Sequence, residues 1–186
     1  LTCDWSSDVC SSDLDTGNHR VQQFTAEGEF LREFGESGSL ENQFISPMGI
    51  TIDDLGNFYV SDAGSTSIKK FNSGGTFEKN FNSNVGGFPI RAQGLESDPE
   101  GNLYVADSGN DRILRLDQSG TAIAVWGSMG IQVNEFMMPK DVILDNNGNL
   151  FVVDSNNNRI QKFLTPIIIV APEPEPTEEE TQTQEE

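Results

Sequence analysis

Gly101-Asn-Leu-Tyr-Val-Ala-Asp107-Ser-Gly-Asn-Asp-Arg112-Ile113 holds the reading of the whole chain. A Gly-Asn turn leads into an apolar, aromatic run. An aspartate closes the run, and a short polar turn ends at an arginine. The same order recurs. Gly56-Asn-Phe-Tyr-Val-Ser-Asp62 and Gly148-Asn-Leu-Phe-Val-Val-Asp154 repeat its first half. Its second half returns in Asp15-Thr-Gly-Asn-His-Arg20-Val-Gln-Gln-Phe24, in Asp62-Ala-Gly-Ser-Thr-Ser67-Ile-Lys-Lys-Phe71 and in Asp154-Ser-Asn-Asn-Asn-Arg159-Ile-Gln-Lys-Phe163. The leading aspartates stand 47, 45 and 47 residues apart. Upstream lie Gly49-Ile-Thr-Ile-Asp53, Gly94-Leu-Glu-Ser-Asp98 and Asp141-Val-Ile-Leu-Asp145. A fixed period of this size marks a repeat architecture, in which each unit buries its faces against its neighbours.

Each period reads as four short strands. Strand A is Ile50–Ile52, Leu95–Ser97 and Val142–Leu144. Strand B is Phe58–Ser61, Leu103–Ala106 and Leu150–Val153. Strand C is Arg20–Phe24, Ser67–Phe71, Arg112–Leu116 and Arg159–Phe163. Strand D is Phe30–Phe34, Phe77–Phe81 and Thr121–Trp126. Turns such as Asp145-Asn-Asn-Gly-Asn149 separate them, since Gly and Asn accept positive φ. Strand B is continuously rather than alternately apolar, which predicts burial on both faces. A Gly or Asn every few residues leaves no sustained helical period, so no helix is expected in the repeats. A four-stranded sheet packed on both sides by its like is a propeller blade. The expected fold is all-β: a β-propeller of four-stranded antiparallel blades, in an incomplete ring of about 3–4 blades.

The stretch Gly101 to Ile113, with Asp15 to Phe24, resembles the NHL repeat. The linkers Phe34-Gly35…Gln43-Phe44-Ile-Ser-Pro47-Met-Gly49-Ile50 and Trp126-Gly127…Glu135-Phe136-Met-Met-Pro139 are similar to its inter-blade segment. The resemblance runs from Asp15 to Phe163. It implies a propeller that usually has six blades, more than this length supplies at about 46 residues each. Ser67 stands where arginine is expected, and Asp141 where the other units have glycine. The linker from Phe81 to Leu95 is two residues shorter than that from Phe34 to Ile50. Ile167–Val170 is available as a last strand D. The chain therefore reads as a C-terminal fragment of a longer propeller. The rival is a half-ring that closes by dimerisation, with self-association as its consequence.

Charge divides the chain further. Of 186 residues, 11 are Lys or Arg and 30 Asp or Glu, a net charge of −19. Residues 171–186 hold seven of the acids and no base, and residues 1–14 hold three more and no base. The propeller portion, 15–164, thus keeps twenty acids against eleven bases. That balance argues against the basic face that nucleic-acid backbones require and against an electrostatic hold on anionic lipid. The longest aliphatic run, Ile167–Val170, is far short of the ~20 residues of a membrane helix. Residues 165–186, rich in Pro, Glu and Thr, bury too little apolar surface to fold and read as a disordered stalk or solubilising tail. Residues 1–14 have no basic or apolar region of an export signal. Cys3 and Cys10 could form a small disulfide loop of an exported protein. The preferred reading is that this segment is non-native, since it resembles translated sequencing-adapter read-through. An extracellular or cell-envelope location is expected from the tail, with no N-terminal signal in this chain.

Antiparallel connectivity places the B–C turns and the long D–A linkers on one face, and the A–B and C–D turns on the other. The first face is the candidate binding surface. Its turn tips are Asn18 and His19, Ser65 and Thr66, Asn110 and Asp111, and Asn157 and Asn158. These differ from blade to blade as a graded rim would, and are equally plain turn residues. The pairs Asp15/Arg20, Asp107/Arg112 and Asp154/Arg159 face each other across a tight turn and are expected to be structural clamps. The turns opening at Asp53, Asp98 and Asp145 superficially resemble calcium loops. They lack the length and closing Glu of an EF-hand, so they read as hairpins, with weak isolated calcium sites left open. His19 is the one histidine and the propeller portion has no cysteine, so His-ligated zinc and Cys–His catalysis have no candidates. No catalytic residue, metal ligand or cofactor is assigned. Related propellers include lyases and lactonases with channel metals, and here the inner strands offer Thr51, Glu96 and Ser97 as polar members. Three functions result: a non-catalytic scaffold for a protein, peptide or glycan; a fragment of a metal-dependent lyase or lactonase; and, weakest because of the acidity, RNA binding.

Overall fold

A computed structural model of the chain describes residues 11–81 and 84–164. Cys3, Cys10, the strand at Ile167–Val170 and the acidic segment from Ala171 lie outside the described residues. Blade I comprises β1 (Ser11–Asp15), β2 (Arg20–Phe24) and β3 (Phe30–Phe34). Its linker to blade II contains the short parallel pair β4 (Glu36–Ser37) and β5 (Gln43–Phe44). Blade II is complete: β6 (Pro47–Ile52), β7 (Phe58–Asp62), β8 (Ser67–Phe71) and β9 (Phe77–Phe81). The next linker forms a hairpin of β10 (Asn84–Val85) and β11 (Phe88–Pro89). Blade III is β12 (Leu95–Ser97), β13 (Leu103–Asp107), β14 (Arg112–Leu116) and β15 (Ala122–Trp126). Blade IV is β16 (Pro139–Leu144), β17 (Leu150–Asp154) and β18 (Arg159–Phe163). Within each blade the strands pair antiparallel in chain order. This is an all-β propeller of four-stranded blades, two complete and two partial, with no closed ring among the described residues. No helix there is long and apolar enough to cross a membrane.

The strands C coincide residue for residue with the sequence expectation, while other boundaries move: each strand B runs one residue further, through Asp62, Asp107 and Asp154, and the strand D of blade III starts at Ala122 rather than Thr121. Strand A begins earlier, at Pro47 and Pro139 rather than Ile50 and Val142. Proline has no N–H for the ladder and tends to sit at a strand's first position, so an apolar-run reading starts after it. A register shift follows each of these prolines. The first sheet also begins four residues before Asp15, because Ser11–Asp15 pairs with Arg20–Phe24. Backbone N–H and C=O groups pair whatever the side chains. Leu14 nonetheless packs into the apolar cluster between blades I and II.

The core lies between blades, not within them. Val21 meets Phe58, Val60 and Phe71 at the first seam. Tyr59, Ile68 and Phe81 meet Leu95, Val105 and Leu114 at the second. Tyr104, Ile113 and Trp126 meet Val142, Leu150 and Val152 at the third. Strands β7 and β13 are therefore buried at every residue, as their unbroken apolar character predicts. In β17 burial alternates, because its second face meets no further blade among the described residues. The inner strands approach so closely that a Cβ on Gly49 would overlap the Gln93 carbonyl, and one on Gly94 would overlap Asp141 and the Lys140 carbonyl. The Gly94 N–H uses that approach to donate to Lys140 O at 2.9 Å.

Candidate functional site

The B–C turns and D–A linkers are joined through the aspartate that ends each strand B. Asp107 is fully buried and accepts from three segments: the Arg91 N–H at 2.7 Å, Asn110 Nδ2 at 2.9 Å and Arg112 Nε at 2.7 Å. Asp154 repeats this with the Met137 N–H at 2.8 Å, Asn157 Nδ2 at 2.9 Å and Arg159 Nε at 2.7 Å, and adds Gln161 Nε2 at 3.2 Å. Burial pushes the Asp154 carboxyl up, but these four donors outweigh it and hold the group below its usual value. Asp15 is more exposed and accepts from Asn18 at 2.9 Å and Arg20 at 3.0 Å, which lower it likewise.

The arginine extends the junction into the linker. Arg159 donates to the carbonyls of Ile131 at 2.7 Å, Gln132 at 2.6 Å and Glu135 at 2.9 Å. Arg112 donates to the Val85 carbonyl at 2.8 Å. One carboxylate thus holds a linker through N–H groups, and its cationic partner holds the same linker through carbonyls. Blades III and IV each fix the linker that precedes them.

Blade II solves the same problem differently. Ser67 replaces the arginine, and Ser65 Oγ donates to Asp62 at 2.7 Å. Positive charge comes instead from Lys69, two residues on, whose Nζ lies 3.9 Å from Asp62 Oδ2. Lys69 donates to the Leu40 carbonyl at 2.9 Å and also to that of Gln43. Burial pulls its ammonium below the usual value, opposed by Asp62 and Glu41. Lys69→Leu should cost about 2 kcal/mol, since two linker carbonyls lose a charged donor. Adding Ser67→Arg rebuilds the blade III arrangement of Arg112 and Leu114, and should restore most of the loss in urea unfolding. A double variant no more stable than the single one would contradict this.

The predicted site residues separate into two groups. Asn18, Ser65, Asn110 and Asn157 turn back on the strand-B aspartates; Asn110 also donates to Pro89 O and Asn157 to Gly130 O, each at 2.9 Å. His19, Thr66, Asp111 and Asn158 occupy the turn apices, all at φ between 51° and 57°. Asp111 Oδ1 accepts from the Met138 N–H at 2.7 Å, joining a blade III tip to the blade IV linker. Asn158 is exposed. The tips are therefore partly spent on holding the linkers, and exposed apolar side chains sit on the linkers themselves.

The inner strands form a second polar locus. Thr51 is buried on β6 and Glu96 half-buried on β12. Because β16 starts at Pro139, the inner polar set also includes Lys140 and Asp141, which the sequence expectation of Thr51, Glu96 and Ser97 omits. The signal was present in the chain: Asp141 replaces a repeated glycine. Burial, with repulsion from Asp141, pushes the Glu96 carboxyl up to about 7. Among the described residues no group of three or more His, Cys, Asp or Glu side chains is placed to hold a metal. In the A–B turns, Asp53, Asp98 and Asp145 accept from the N–H and Nδ2 of Asn57, Asn102 and Asn149 at 2.7–3.1 Å. Their carboxylates serve as hairpin acceptors.

A family model for the NHL repeat matches residues 136–163, the segment from the last linker through β18. The last described blade carries an NHL repeat. The brain tumor protein of Drosophila melanogaster is 33% identical over 73 residues, covering 38% of this chain and 7% of that protein. Among solved structures, a streptogramin B lyase superposes with a TM-score of 0.65 at 15% identity, over 91% of this chain and 55% of the lyase. A catalytically inactive virginiamycin B lyase from Staphylococcus aureus, solved with quinupristin, gives 0.58 at 14% identity over 83% and 52%. At such identities the likeness shows the fold alone. The chain spans about half the length of these lyases.

Proposed function

We propose that this propeller is a non-catalytic binding scaffold that takes a protein, peptide or glycan on the face built from D–A linkers and B–C turns. One observation carries the reading: buried carboxylates and their cationic partners hold surface linkers while linker side chains such as Leu40, Phe88, Met129 and Val133 stay exposed. Loops fixed before a ligand arrives lose little conformational freedom on binding, so such an arrangement favours affinity. The net acidity of the propeller portion argues against nucleic acid as that ligand. A blocking experiment tests the face. In a Cys3→Ser/Cys10→Ser background, Asn158→Cys or Leu55→Cys is coupled to polyethylene glycol, and each adduct is applied to arrayed peptides and glycans. The Asn158 adduct should lose binding that the Leu55 adduct, on the opposite face, keeps. Equal binding by both would remove the linker face from consideration.

The alternative is part of a metal-dependent lyase or lactonase. Glu96 and Asp141, on adjacent inner strands, support it. Two carboxylates are fewer oxygen ligands than calcium takes, so further ligands would have to come from elsewhere. Stoichiometric, tightly bound divalent metal in the purified protein, lost on Glu96→Gln, would favour this reading over the scaffold.

A further inference from the structure

Exposed apolar side chains concentrate on the linkers of the candidate face. Leu40 is 65% exposed, Phe88 59%, Met129 72%, Ile131 65% and Val133 78%. The opposite face's A–B turns contribute only Leu55. All four methionines of the chain, Met48, Met129, Met137 and Met138, lie in these linkers or directly after them. Methionine is flexible and polarisable and adapts to varied apolar partners, and with aromatic residues it is enriched where proteins dock.

This exposure is enforced. Ile131, Gln132 and Glu135 have their carbonyls bound to the Arg159 guanidinium. The Val85 and Phe88 carbonyls are held by Arg112. The linkers cannot fold these side chains inward without breaking charge-assisted hydrogen bonds. Three linkers thus present a fixed apolar surface to solvent, the kind of patch that marks an interaction site.

Charge selects the occupant. The linker of blades I and II carries Glu36 and Glu41 as its only ionisable groups, and that of blades III and IV carries Glu135 alone. Asp111 adds a fourth carboxylate at a tip, against Arg91 and Lys140. A second copy docking this face on its own like would bring acid against acid. Anionic lipid and nucleic acid meet the same repulsion, and a glycan makes little use of exposed aliphatic chains. We infer that the linker face docks a basic apolar protein segment, which lays leucine-like side chains on Leu40, Phe88, Met129 and Val133 and sets lysine or arginine against Glu36 and Glu41. The inference rests on the scaffold reading and narrows its ligand to one class.

Methionine-methyl NMR tests it directly, because the four methionines report on this face. The probes are a short synthetic peptide of leucine and lysine, its leucine–glutamate counterpart and an N-acetylglucosamine oligomer. The leucine–lysine peptide should shift the Met48, Met129 and Met138 signals saturably. Its affinity should exceed that of the leucine–glutamate peptide by about tenfold or more. Met129→Ser/Ile131→Ser/Val133→Ser should weaken binding at least as much with Tm unchanged, since all three side chains are exposed. Shifts with the sugar and neither peptide would leave the scaffold face standing and overturn the partner class. Equal response to both peptides, or undiminished binding by the triple variant, would also overturn it. Concentration-dependent shifts without any probe would assign the face to a second copy. No shift with any probe would remove the scaffold reading as well.

Discussion

Asp107→Ala is expected to destabilise the propeller by about 3–5 kcal/mol, because it leaves the Arg112 guanidinium buried without its carboxylate. The Arg112 side chain is only 10% exposed and Asp107 is not exposed at all. The Arg91 N–H loses its acceptor at the same stroke, while the Asn110 amide keeps the Pro89 carbonyl, and a donor left without a partner adds to the cost. For a domain whose whole stability is about 5–15 kcal/mol, this is a large fraction. Urea unfolding monitored at Trp126, which packs at the third seam, provides the measurement. Asp15→Ala is the internal control. It removes the same pair, but there Arg20 and Asp15 are 31% and 26% exposed, so water takes over much of what the carboxylate did. The Asp15 variant should therefore lose only a small part of what the Asp107 variant loses. Equal losses would show that burial does not set the strength of these junctions. A buried Asp107 whose removal left stability untouched but abolished ligand capture would make it a binding residue instead of a clamp.

These junctions also show how far the chain could be read without coordinates. The strands C were legible to the residue because each opens at a fixed polar position and closes at Phe or Leu. Pairing of Asp with Arg was legible because five residues across a tight turn leave few other partners. Lys69 was not, since its charge compensates Asp62 from two residues further along the strand, outside the register of the repeated arginine. Asn18, Ser65, Asn110 and Asn157 look free in sequence. A short turn, 3-10 in blades I, III and IV, folds each back on the aspartate three residues earlier, a reversal that composition does not reveal. Asp141 departs from the repeated glycine in sequence, yet its place on an inner strand beside Glu96 depends on where β16 begins. Local order was therefore readable. Contacts between linkers, turns and neighbouring blades depended on the packed structure.

Glu96 gives the second large effect, and its sign runs opposite to that of the clamps. Its folded-state value of about 7 lies above the ordinary 4.5, so the native state holds this proton more tightly than the unfolded chain. Stability from the protonated form is fully present below about pH 4.5 and is lost as pH rises through 7. At about 1.4 kcal/mol per unit, the loss amounts to about 3 kcal/mol by pH 8. Glu96→Gln keeps the shape and stays neutral. The variant should be about as stable as the parent at pH 4.5 and more stable by about 3 kcal/mol at pH 8. The difference between the two proteins is the informative quantity, because other carboxylates titrate alike in both. Asp141→Asn should recover part of the same gain, since its charge is the second cause of the shift. Parallel pH profiles for parent and Glu96→Gln would mean that the ionised carboxylate is already compensated in the folded protein. A bound cation between the inner strands of blades III and IV would produce that result, which links this stability measurement to the metal analysis that separates scaffold from enzyme.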